Sequence, residues 1–232
     1  MPEEQKQRII KILGEKAATK QIVYDNTLEV FEMLKKILQE IAENYNESLK
    51  GSDNRVLIDY RDRGKFEAEL KIAGDILIFS MHSNIFEFDR NHIIWEMPYV
   101  SENHINSYCG IINVYNFLAD SFKYNRVDDL GYLISRIFVN KDYSFFVEGK
   151  RQKKYLYKDF GKAAINSGAL RQIINTSVLY SLEFDLLVPP YDNVKITSVA
   201  QMNKKFETSK MQTGKRLGFQ FNSDDVLEEN KD

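Results

Sequence analysis

Residues 66–81 read FEAELKIAGDILIFSM, and their period decides the fold class. Phe66, Ala68, Leu70 and Ile72 alternate with Glu67, Glu69 and Lys71, the period-two pattern of a strand with one wet face. Ala73-Gly74-Asp75 signals a hairpin turn, and 76–81 is apolar enough for a more deeply buried return strand. Upstream, Val56, Ile58 and Tyr60 alternate in the same way before a turn at Arg61-Asp62-Arg63-Gly64. Downstream, 85–88 and 92–95 flank Asp89-Arg90-Asn91 and read as another hairpin, closed by Pro98. Residues 109–118 hold Ile111, Ile112, Val114, Tyr115 and Phe117 and are read as a strand; a buried helix running to Phe122 is the alternative for 101–130. After Asp128-Asp129, 132–139 and 143–147 flank Asn140-Lys141-Asp142 as a further hairpin. About seven or eight strands joined by short turns predict an antiparallel meander rather than βαβ units.

On either side of this block the period is 3.6. Within 2–50, Pro2 suits a first helical turn and Ile9, Ile10 and Leu13 form a short stripe. A stronger helix runs over 26–49, with the apolar face Val30/Phe31, Leu34, Ile37/Leu38, Ile41 and Tyr45. Asn26 is its expected cap, with Glu29 in capping-box spacing. Lys50-Gly51-Ser52-Asp53-Asn54 ends it. Past the basic segment 150–154, residues 159–165 read as a short helical piece and 167–186 as a longer helix capped by Ser167. Leu187-Val188-Pro189-Pro190 is a stiff connector. Thr197 or Ser198 starts a last short helix to Phe206, 213–221 adds an edge strand, and 222–232 is an acidic tail expected to be disordered. The expectation is one α+β domain over 1–221, helical over 1–50, sheet over 55–148 and helical again over 158–187. The helices at 26–49 and 167–186 cover one face of the antiparallel sheet, and one face or end of it is left open.

Composition narrows the function classes. The chain is 43% hydrophobic and 28% charged, with 15 Phe and 13 Tyr against one Trp, a bias toward half-buried pleated surface. A formal charge of −2 speaks against an overall pull toward nucleic acid or anionic lipid and leaves only local patches. The single cysteine, Cys109, cannot form an intrachain disulfide and fits a reducing compartment. The first residues lack the basic and apolar regions of a secretory signal, and no stretch reaches about 18 uninterrupted apolar residues. A soluble, cytoplasmic protein without membrane contact is expected.

Each candidate site has an ordinary structural explanation beside it. His82, His92 and His104 have no metal-ligand spacing and read as strand-end histidines, so no metal and no cofactor is expected. Glu148-Gly149-Lys150 follows the apolar run Phe145-Phe146-Val147, with Asp142, Asp129 and Asp128 upstream. Carboxylates that hold a divalent ion, and a Lys that orients water, are what metal-dependent phosphodiester hydrolysis needs; glycine and charge also close ordinary hairpins. Lys150, Arg151, Lys153 and Lys154 run on toward Lys158 and Lys162, interleaved with Tyr155, Tyr157 and Phe160. Cations with stacking aromatics can track a nucleic-acid backbone, as could a second group at Lys204, Lys205, Lys210, Lys215 and Arg216. A solvated loop explains the same run. Thr213-Gly214-Lys215-Arg216 is no phosphate loop, because position 209 is Ser and Arg216 replaces the hydroxyl residue. Cys109 has only His104 nearby as a base and reads as a buried small hydrophobe.

The segments 131–154 (GYLISRIFVNKDYSFFVEGKRQKK) and 213–221 (TGKRLGFQF) resemble a group of bacterial proteins of unassigned activity. The resemblance implies no reaction and carries no functional residue. The residues therefore favour a non-enzymatic binding or scaffolding protein, acting on a protein partner or a second copy through an aromatic-rich sheet face or a dimer interface. A nucleic-acid-associated protein or metal-dependent nuclease using 142–154 is the alternative.

Overall fold

The computed structural model describes residues 3–188, 190–200 and 202. Six strands form one antiparallel sheet in chain order: β1 (Ile58–Asp62), β2 (Glu67–Ile72), β3 (Asp75–Met81), β4 (Gly110–Leu118), β5 (Tyr132–Val139) and β6 (Phe145–Gly149). Among the described residues the α-helices are α1 (Glu3–Ile12), α2 (Ala18–Ser48), α3 (Pro98–Ser101), α4 (Ala119–Lys123), α5 (Ser167–Leu182) and α6 (Tyr191–Val194). The expected α+β meander is the architecture found. Residues 110–118 are strand, and α4 follows as a single turn or so of helix. Among the described residues, no helix is long and apolar enough to cross a membrane.

One face of the sheet holds the main core. Leu34, Leu38 and Ile41 of α2 and Leu170 and Ile174 of α5 pack against Leu70, Leu77, Phe79, Ile112 and Ile137, all buried in one cluster. Burying each such side chain contributes about 1.5–3 kcal/mol, so this layer decides where the helices lie. Gly110 lets α2 come close to β4: a side chain there would collide with Thr27. The Tyr45 hydroxyl donates to Asn175 Oδ1 at 3.0 Å and Arg171 pairs with Glu40, joining α5 to α2. Lys35 is buried and donates to the Gly64 carbonyl at 2.7 Å, with Asp62 at 3.2 Å, which pins the β1–β2 turn onto α2.

Several expectations are corrected. The helix does not begin at Asn26: α1 runs through a π-turn at Leu13–Ala17 into α2. Asn26 instead lies in mid-helix, where its side chain donates to the carbonyls of Asn140 (3.3 Å) and Lys141 (2.7 Å) and ties α2 to the β5–β6 turn. Residues 85–95 form no hairpin. Phe86 makes an isolated bridge with Cys109, and Ile93–Glu96 is a 3₁₀ turn capped by His92, because Phe88 and Ile94 turn onto the sheet rather than pairing as strands. That loss leaves six strands among the described residues. Residues 159–165 are not a helix: a 3₁₀ turn ends at Asp159, and the chain then extends along β6, where the Ile165 N–H donates to the Tyr143 carbonyl at 2.9 Å. Asn166, not Ser167, caps α5, accepting from the Ala169 N–H at 2.9 Å. Glu69, expected on a wet face, is 2% exposed beneath Arg63, whose guanidinium reaches it at 2.5 Å. The expected last helix makes its first turn where the Met202 N–H donates to the Ser198 carbonyl at 3.0 Å. Its remainder, the strand at 213–221, the tail at 222–232 and the basic group from Lys204 to Arg216 lie outside the described residues.

Candidate functional site

The second face of the sheet is built from the side chains that alternate with the core set. Register sets Glu67, Ser80, Asn113, Arg136 and Glu148 in one row from β2 to β6. The neighbouring row is Arg61, Glu69, Ile78, Tyr115 and Leu133. On the other side of the polar row, Ile111, Phe138 and Phe146 carry a second apolar cluster, covered by the long loop between β3 and β4. Phe138 and Phe146 stack at 4.6 Å, Phe88 lies 5.1 Å and 5.7 Å from them, and Phe160 meets Phe146 edge-on at 5.2 Å.

This cover stops at the polar row. Ser80, Asn113 and Arg136 sit on three inner strands yet are half-buried, as are Ile78 and Tyr115, and Leu133 is exposed. Side chains on inner strands reach solvent only where no second layer lies over them. The bulge at Ile134 is a local irregularity beside this strip: Val114 pairs with Ser135, but Tyr115 pairs with Leu133. Gly149 is required next to it, since a side chain there would come within 2.5 Å of the Ile134 carbonyl.

Glu148 belongs to this row. Its Oε2 accepts from Arg136 Nε at 3.1 Å and Nη2 at 2.5 Å, and its Oε1 lies 3.5 Å from His92 Nε2. His92 Nδ1 accepts the Ile94 N–H at 3.2 Å, so the neutral ring carries its proton on Nε2, facing Glu148. Asn113 Oδ1 is buried and has no hydrogen-bond partner. The group offers donors and acceptors of near-balanced charge.

Asp142 is elsewhere. It lies in the β5–β6 turn and accepts from the Tyr99 hydroxyl and from Lys141 Nζ (2.8 Å). Burial pushes its carboxyl up, but the hydrogen bonds from Lys141 and Tyr99 outweigh this and hold it below the usual carboxylate range. Burial, then the same bond to Asp142, pushes the Tyr99 hydroxyl up. Buried Asn140 completes the knot. Its Nδ2 donates to the Tyr99 oxygen at 2.9 Å, and its Oδ1 accepts from the N–H groups of Asp142 and Ser144, both at 3.0 Å. Asp142 therefore fastens α3 to the sheet. From Ser144 to Glu148 the strand spans on the order of 13 Å, so Asp142 does not meet Glu148 and Lys150. The Lys150 N–H donates to the Ile134 carbonyl at 2.9 Å. Among the described residues, no three His, Cys, Asp or Glu side chains are grouped to hold a metal ion.

The basic segment is a strap over α5. Arg151 pairs with Glu183 and lies over the Tyr180 ring at 5.7 Å. Buried Gln152 donates to the Ile173 carbonyl at 3.1 Å. Lys154 Nζ (2.6 Å) and the Tyr155 hydroxyl (3.2 Å) both donate to Gln172 Oε1. Lys150 and Lys153 have partners as well. Tyr157 and Phe160 pack into the second apolar cluster rather than offering stacking faces. His82 Nδ1 accepts from the Asn84 N–H at 3.0 Å, and His104 meets the Trp95 ring at 5.5 Å. Cys109 is fully buried, which pushes its thiol up.

Sequence reasoning passed over Ser80, Asn113 and Arg136, and it set His92 aside as a strand-end histidine. A signal for three of them exists: each of Ser80, Asn113 and Arg136 is a polar residue set within an apolar strand, at the parity opposite to the core. The chain matches no family model, no curated protein and no solved structure.

Proposed function

We propose that this is a non-enzymatic binding or scaffolding protein that takes its partner on the uncovered strip of the second sheet face. The observation that carries this reading is the half-exposure of Ile78, Ser80, Asn113, Tyr115 and Arg136 on inner strands, directly beside the aromatic cluster. The strip combines an apolar floor of Ile78, Tyr115 and Leu133 with directed polar groups, the mixture that binding surfaces use. The nucleic-acid alternative draws less support, because Arg151 and Lys154 are engaged by α5.

The test is affinity capture with the wild-type chain and with Tyr115→Ala and Arg136→Ala. Both positions are partly exposed, so each variant is expected to fold with little change in unfolding midpoint and to lose a partner that the wild type retains. Identical retained proteins for all three chains would overturn the reading. Titration with labelled single-stranded DNA and RNA at rising salt separates the alternative, since phosphate contacts must weaken as salt increases.

A further inference from the structure

We propose that His92 is a proton-operated latch between the loop that covers the aromatic cluster and the polar row of the open strip. It regulates the binding surface proposed above, and only that consequence rests on the binding reading. The latch itself stands on two contacts of one ring. On the loop side, Nδ1 accepts the Ile94 N–H at 3.2 Å and starts the 3₁₀ turn Ile93–Glu96. On the sheet side, Nε2 faces Glu148 Oε1 at 3.5 Å. The ring also lies 4.7 Å from that of Phe88, which packs on Phe138 and Phe146.

The two contacts answer a proton in opposite ways. A neutral imidazole has one donor and one acceptor, whereas the imidazolium has two donors and no acceptor. A proton on Nδ1 therefore ends the bond to Ile94 and sets two N–H groups against each other. The same proton turns the Nε2 contact into an ion pair, and at 3.5 Å the ring has room to close on the carboxylate. The charged ring leaves the loop for the sheet. What it releases is the start of a turn that carries fully buried Ile94 and leads into α3, where the Met97 N–H donates to the Ile94 carbonyl at 3.2 Å.

The charges around the ring come from three elements. Glu148 of β6 favours the proton, and Arg136 of β5, which holds the other oxygen of that carboxylate, opposes it. On the loop itself, Glu87 is paired with Arg90, and Asp89 accepts from the Asn91 N–H. With the ring neutral, Arg136 and Glu148 cancel. With it charged, the same row carries one positive charge, which favours a partner that brings a carboxylate.

NMR of the full chain from pH 8 to pH 5, the range in which imidazoles change charge, tests the latch. The Ile94 amide signal is expected to move with the His92 ring signals, at the same midpoint. His92→Asn supplies a cap that does not titrate and is expected to hold the Ile94 amide in its pH 8 position throughout. Glu148→Gln is expected to move the His92 midpoint to lower pH by about half a unit, whereas a ring that only caps is indifferent to it. His104 meets the neighbouring Trp95 ring at 5.5 Å, so the titration is repeated in His104→Gln, where the Ile94 response persists if His92 is its source. The proposal is overturned by an Ile94 amide that ignores the His92 transition, by a response that survives His92→Asn or vanishes in His104→Gln, or by a midpoint that Glu148→Gln leaves in place. No partner enters this measurement, so its failure leaves the binding reading standing, and a failed capture leaves the latch standing.

Discussion

The side-chain amide of Asn46 bonds both backbone groups of Ile58: its Nδ2 donates to the carbonyl at 2.7 Å, and its Oδ1 accepts the N–H at 2.8 Å. A helix side chain thus stands in for a neighbouring strand at the outer edge of β1. Edges with unpaired N–H and C=O groups recruit other chains, and this contact shortens the open edge. Asn46→Ala is expected to cost about 1–2 kcal/mol in urea unfolding, for two net hydrogen bonds. Amide exchange at Ile58 should quicken more than at Ile72, its β2 neighbour. Equal exchange rates in variant and wild type would mean that the amide bond is not formed in solution.

The β2–β3 hairpin turns in two residues, Ala73 and Gly74, between the pair Ile72 and Asp75. Ala73 takes φ of 49°, a region where a Cβ is crowded and glycine is at ease. Ala73→Gly should therefore stabilise the protein by about 0.5–1 kcal/mol, read as a rise in denaturation midpoint at unchanged m. A fall in midpoint would contradict the turn geometry.

Acid should loosen the knot around Tyr99. The folded Asp142 carboxyl is held below its ordinary value by Lys141 and Tyr99 against the opposing effect of burial. Its contribution is thus complete above the unfolded carboxylate value, near 3.9, and is lost as pH falls through the lower folded value. Carboxyl shifts followed by NMR should place Asp142 below exposed aspartates, with the Tyr99 ring signals moving in the same range. Asp142→Asn should leave the Tyr99 ring without that transition. A midpoint at or above the exposed aspartates would refute the assignment.

Arg136 and Glu148 are directly opposed across β5 and β6 and hydrogen-bonded. Both are partly exposed, which limits the pair to about 0.5–1 kcal/mol. A double-mutant cycle with Arg136→Ala and Glu148→Ala in chemical denaturation should return a coupling of that size. A coupling several times larger would show that the strip is drier than its exposure indicates.

Much of the architecture was legible because it rests on local period. The alternation at 66–81 became β2 and β3 within a residue of its expected limits, and the 3.6-residue stripe from Val30 to Ile41 became the buried side of α2. Where side chains act at long range, local period says nothing. Asn26 has the spacing of a cap, but its partners lie 114 and 115 residues away. Residues 85–95 have the residues of a hairpin, yet Phe88 packs on Phe138 and Phe146, which lie more than 45 residues further along the chain.

By itself, the sequence determined the two periods and hence an antiparallel meander between helices. Backbone pairing at short turns and the burial of one helical stripe follow from residues close in the chain. Only the tertiary structure decided which polar side chains share a face. Ser80, Asn113, Arg136 and Glu148 become neighbours through inter-strand register, which depends on a bulge and on connections of widely different length. It also decided that Asp142 and Glu148 part company, because a strand separates its two ends by its full length.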